Sequence, residues 1–204
     1  MVNLPSRPAG FLLLGGAGIM GISTLIQTIM FPDTSTQDLL NQLWQAFQIT
    51  QTLSYACIVL GFYGVWGRLY ASMPKLSSIG YFLMCGGGMA LIIASGAACT
   101  LLPLLAKSAP QLLVNGPFSM DLLFYGGSGL LGIGGITTSI CIFKTHKFHW
   151  EVGLLLIGGV LYVFATNPFL EDSNGWKTLP GYIIIAFAVG LLGTSLLRKP
   201  IERI

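Results

Sequence analysis

The chain has 204 residues, of which 53% are hydrophobic and only 8% charged, whereas a soluble domain carries about 25% charged residues. Mean hydropathy is +0.77. No stretch is charged enough to build a solvated domain, and a net charge of +3 gives no basic surface of the kind that points to nucleic acid. These values predict an all-α fold: a polytopic integral membrane protein with a single membrane domain over residues 1–204.

Residues 1–8 make a short polar lead with one charge, Arg7. An apolar run over about 9–31 follows. A signal peptide has an apolar core of about 7–15 residues and a small-residue cleavage site. This run is longer and ends without such a site, so it reads as a retained first membrane helix, stopped by Pro32 and Asp33. The second helix spans about 42–67, and its first half is polar. Asn41, Gln45, Gln48, Thr52 and Tyr55 recur there at the spacing of one helix face. A loop with Arg68, Pro74 and Lys75 leads to a third helix over about 78–105, with Pro103 near its end.

The longest loop contains Asn115-Gly116-Pro117, a turn signal. The fourth helix spans about 120–143, and a basic loop from Lys144 to Glu151 follows it. The fifth covers about 152–169 and closes on Asn167-Pro168; after Asn174-Gly175 the sixth covers about 179–197. Helices of these lengths suit a hydrocarbon core about 30 Å thick.

Charge and tryptophan both fit this six-span layout. With both termini cytoplasmic, Arg7, Arg68, Lys75, Lys144, Lys147, Arg198, Lys199 and Arg203 lie inside, and only Lys107 and Lys177 outside. Short loops with that bias define an N-in/C-in orientation. Trp44, Trp66, Trp150 and Trp176 fall at helix ends, where indole anchors to the membrane interface. With compact loops, no glycosylation sequon and no added targeting segment, the expected location is a bacterial inner (plasma) membrane.

Glycine carries the strongest pattern. Gly15-Gly16-Ala17-Gly18-Ile19-Met20-Gly21-Ile22 recurs as Gly126-Gly127-Ser128-Gly129-Leu130-Leu131-Gly132-Ile133, 111 residues on. The offset also brings the second helix onto the fifth, and points to a 3+3 inverted repeat of the kind found in transporters. It misplaces the third helix against the sixth by about ten residues. Gly15, Gly18 and Gly21 share one arc of a helix, as do Gly126, Gly129 and Gly132. Gly61 and Gly64 repeat the spacing. All eight are expected to pack helices, because small residues let backbones approach in lipid.

No catalytic constellation emerges. Gly126-Gly-Ser-Gly129 resembles the nucleophile motif of rhomboid intramembrane proteases, but that chemistry needs a histidine to take the serine proton. The histidines, His146 and His149, sit in the basic loop. No Asp, Glu, Lys, Arg or His falls deep in an expected helix, which argues against proton-coupled transport. Cys57, Cys85, Cys99 and Cys141 lie in apolar runs without C-x-x-C spacing. They read as small apolar packers rather than a disulfide framework or zinc ligands. No metal site, cofactor or enzymatic activity is expected.

Buried amides in lipid must find hydrogen-bond partners. Gln27, Gln45, Gln48, Thr52 and Asn167 fall at one depth in the outer half. They either bond one another across helices or line an outward-facing polar pocket. The leading expectation is a non-enzymatic helix-packing or accessory subunit of a membrane assembly. Its partners would be the lipid bilayer and other membrane-protein subunits, or further copies of the chain. The alternative is a small-solute transporter or substrate-binding membrane component using the outer amides. In architecture alone, a six-helix, N-in chain of this size is similar to the substrate-binding components of vitamin uptake systems, and no residue motif carries over.

Overall fold

A computed structural model describes residues 6–31, 36–112, 118–166 and 175–198. Six long helices dominate: α1 Ser6–Met30, α3 Gln42–Tyr70, α4 Pro74–Ser108, α5 Phe118–Thr145, α6 Trp150–Thr166 and α7 Gly175–Leu197. A single-turn helix, α2 Thr36–Leu39, precedes α3, and a 3₁₀ turn, Pro110–Leu112, follows α4.

Local chemistry sets the ends. Pro8 lies in the first turn of α1, where a missing N–H costs nothing. The Asn41 side chain caps α3 by accepting the Leu43 N–H at 2.9 Å. Pro74 opens α4 at its first position, pre-set for helical φ. His146, at φ 50°, takes the left-handed conformation and donates its N–H to the Ile142 carbonyl at 3.1 Å, which ends α5.

Each helix lies where an apolar run predicts one, but the ends move by up to four residues: α3 runs on to Tyr70, so Arg68 lies in its last turn rather than in a loop, and two starts move most. The chain before residue 78 is helical from Pro74, and the last helix starts at Gly175, with Pro180 inside it. Prolines near a helix start are compatible with the helix, so they do not delimit it.

Five of these helices are long and apolar enough to cross a membrane, and α6 is shorter, at 17 described residues. The outward side chains agree with a lipid setting. Phe82 is 70% exposed and Phe11 65%, with Leu60, Leu104 and Phe187 close behind. Exposed apolar bulk on every helix is the surface of a bundle in hydrocarbon, not in water. The protein is a helical membrane bundle.

The helices close into a ring in chain order. α1 packs on α3, α3 on α4, α4 on α5, α5 on α6 and α6 on α7, and α7 returns to α1. Leu13, Phe62, Ile142, Leu156, Leu192 and Leu196 fill the inner faces.

This order does not support the inverted repeat. A two-fold axis in the membrane plane would turn the ring over, so the image of α1–α3–α4 would run around it in the opposite sense. α5, α6 and α7 instead continue in the same sense. The matched glycines also meet different neighbours. Gly16 lies against α3 at Ser54 and Ile58, whereas Gly127 lies against α4 at Gly87 and Ala90.

Candidate functional site

Three places in the ring carry the polar or close-packed groups that function requires. They are the amides of α1 and α3, the glycine faces, and a cavity at the centre.

The amides meet across helices. Gln51 Nε2 donates to Gln27 Oε1 at 2.6 Å, joining α3 to α1. Gln48 is buried at 6% exposure, and its backbone carbonyl accepts the Thr52 hydroxyl at 2.8 Å. Gln45 is half-buried one turn earlier. None of Gln27, Gln45, Gln48 or Thr52 lines the central cavity. Asn167 lies outside the described residues. Deeper in the same seam, the Ser54 hydroxyl donates to the Gly16 carbonyl at 2.8 Å.

The glycines divide into two groups. A Cβ placed on Gly61 would stand 2.6 Å from Leu13, on Gly64 2.5 Å from Ala9, and on Gly132 2.6 Å from the Phe164 ring. At Gly21 the nearest neighbour is Ala186 at 3.6 Å. Among the described residues nothing lies within 4 Å of a Cβ at Gly15, Gly18 or Gly129, and at Gly126 only Leu122 of its own helix reaches that distance. In Gly15-Gly16, Gly126-Gly127 and Gly158-Gly159 the second glycine meets the neighbouring helix and the first does not, whereas Gly134 and Gly135 both meet neighbours, Met84 of α4 and Val160 of α6. Successive residues on a helix are about 100° apart, so a pair cannot face one way.

The tryptophans also divide. Trp150 and Trp176 are exposed, and Trp66 stacks on Tyr81 at 5.3 Å while donating to Ser78 Oγ at 3.2 Å. Trp44 does not anchor at a surface. It is 6% exposed, edge-on to Phe31 at 5.7 Å, in a cluster with Leu39 and Ala106. Its indole Nε1 is buried without a hydrogen-bond partner among the described residues.

One end of the ring is tied by Arg68. Its Nη1 donates to the Ser195 carbonyl at 2.7 Å and its Nη2 to the Leu196 carbonyl at 3.2 Å, and its guanidinium lies over the Phe148 ring at 5.7 Å. A cation on the free carbonyls at a helix C-terminus satisfies both hydrogen bonding and the helix dipole. His149 and Glu151 lie 4.0 Å apart at this end, both exposed. Among the described residues, no three of His, Cys, Asp and Glu converge as a metal site would require.

At the centre lies a cavity of about 60 Å³ that draws lining from all six long helices. Met20 of α1, Ile58 of α3, Met84 of α4, Leu131 of α5, Leu156 of α6 and Ile185 of α7 form its walls. Its polar side chains are Tyr55, Ser128 and Tyr182. Tyr55 and Tyr182 stand within electrostatic range of each other, and Tyr182 within range of Tyr125. Sequence reasoning missed this site because its walls are ordinary Leu, Ile, Val and Met. Tyr55, on the polar face of α3, was its one visible signal.

Comparison with protein-family models, curated proteins and solved structures gives no match for this chain.

Proposed function

We propose that the protein is a non-enzymatic accessory subunit of a membrane assembly, which docks other membrane helices at two outward glycine notches. The carrying observation is the position of the unused glycines. On α1, Phe11, Gly15, Gly18 and Ile22 form one outward stripe. On α5, Leu122, Gly126, Gly129 and Ile133 form the same stripe. Each puts two glycines between two large apolar side chains. Two helices separate α1 from α5 either way around the ring, so the notches lie on opposite sides.

A glycine costs a helix about 1 kcal/mol relative to alanine. Facing outward, it repays nothing inside the chain. A notch of this shape suits the close approach of another helix in lipid. The shared eight-residue pattern then reflects two equivalent docking faces rather than two equivalent halves.

In this proposal six helices span the membrane, with both termini cytoplasmic. Arg7, Arg68, Lys75, Lys144, Lys147 and Arg198 gather at the Arg68 end, and the positive-inside rule assigns that end to the cytoplasm. A bacterial inner membrane remains the proposed location. Mass spectrometry of what co-migrates after gentle extraction at native expression tests the reading. A different protein in fixed stoichiometry supports it, and a lone chain overturns it.

A further inference from the structure

The seams of the ring are closed in different ways. A Cβ on Gly127 would stand 3.1 Å from the Gly87 carbonyl oxygen, one on Gly159 3.1 Å from that of Gly181, and one on Gly10 2.9 Å from that of Gly193. On the α1–α3 seam a Cβ on Gly16 would stand 3.0 Å from the Ser54 carbonyl oxygen. These four seams are backbone against backbone. At α3–α4, Gly88 takes the side chain of Val59. The α5–α6 seam is different: Gly132 takes the ring of Phe164, and Gly153 takes the ring of Phe143. It is also the thinnest contact between neighbours in the ring.

Phe164 reaches both sides of this seam. Its side chain lines the central cavity, and the residue is 45% exposed. Separating two backbones means moving whole helices, a slow collective motion, whereas a half-exposed side chain changes rotamer in picoseconds to nanoseconds. The wall at Phe164, on the thinnest seam, can therefore open without moving a helix.

We infer that the central cavity is a binding site for a small lipid-dissolved molecule, entered sideways from the bilayer between α5 and α6 past Phe164. The ligand has an apolar body of about ring size and one hydroxyl or carbonyl head. The apolar walls take the body, and the Tyr55 and Tyr182 phenols, beside Ser128, bind the head. The dimensions fit a gate that is also a plug. An apolar cavity of about 150 Å³ holds a benzene, and the space here is about 60 Å³. A ring enters when the Phe164 ring leaves. This site is separate from the outward notches, and either can exist without the other.

A small aryl diazirine photolabel tests the site in lipid vesicles holding the full chain, with labelled residues mapped by mass spectrometry. The expected result is saturable labelling around Tyr55 and Tyr182 that excess benzyl alcohol removes. Phe164→Ala should raise its rate several-fold and Phe164→Trp should lower it, with labelling of the outward Ile133 and Leu154 unchanged. Because these two variants move the rate in opposite directions, misfolding of one does not mimic the result. Labelling confined to outward residues, or labelling that never saturates, overturns the site. Saturable labelling at one rate in all three proteins overturns the entrance.

Discussion

Gln51 Nε2 donates to Gln27 Oε1 at 2.6 Å, a part-buried bond between two amides that joins α3 to α1. Each amide resolves the other's desolvation, which makes the pair more costly to break than to remove. Gln51→Leu is expected to destabilise the bundle by about 1 kcal/mol, because it leaves the Gln27 amide unpaired. The double variant Gln27→Leu/Gln51→Leu should recover part of that loss. Unfolding of the four proteins of this cycle in mixed detergent measures the coupling, expected near 0.6 kcal/mol as for other interhelical bonds in membranes.

The two classes of glycine should respond oppositely to a methyl group. In Gly87→Ala the Cβ would stand 2.5 Å from the Gly127 carbonyl oxygen and 2.5 Å from the Leu131 backbone nitrogen. Backbone cannot turn aside, so α4 and α5 must part, at about 1–3 kcal/mol. Gly15→Ala meets nothing and should leave stability unchanged or raise it by up to about 1 kcal/mol. Equal losses in the same unfolding assay would contradict this division.

Arg68 donates to the Ser195 and Leu196 carbonyls and covers Phe148. Lysine keeps the charge but not the planar fork. Arg68→Lys is expected to cost about 1–2 kcal/mol and to speed hydrogen exchange in the last turn of α7. Exchange there at the parental rate would show that the guanidinium does not hold that end.

Trp44 should behave unlike the exposed tryptophans. In single-tryptophan variants, brominated lipid should quench Trp150 and Trp176 strongly. Trp44, buried among Phe31, Leu39 and Ala106, should be quenched least. Strong quenching of Trp44 would place it in the surrounding lipid.

Much of this architecture was legible in the sequence, because a helix that crosses lipid must be a long apolar run. The runs from Gly10 to Met30 and from Leu122 to Phe143 announce helices on hydropathy alone. The amide pair was half legible: depth along the helices places Gln27 level with the glutamines of α3, but only packing selects Gln51 over Gln45 and Gln48. The glycine faces were not legible at single-residue resolution. Gly15 and Gly16 are adjacent, and nothing local decides which one meets the neighbouring helix. That depends on the rotation of α1 against α3 and α7. Trp44 was misplaced for the same reason, since a residue near a helix end borders either lipid or another helix. The cavity had no sequence signature, because a ring lined by Leu, Ile and Val reads like any apolar core.

The notch proposal meets its sharpest test in paired variants. Gly18→Leu and Gly129→Leu put large side chains where none of the described residues lies within 4 Å of a Cβ. Native mass spectrometry of complexes extracted at native expression would compare each with the parent. The proposal predicts that the parent carries a different membrane protein in fixed stoichiometry. It predicts that at least one variant loses that protein while unfolding like the parent. A partner retained in full by both variants and by the double variant would contradict it, and so would a parent that carries no partner.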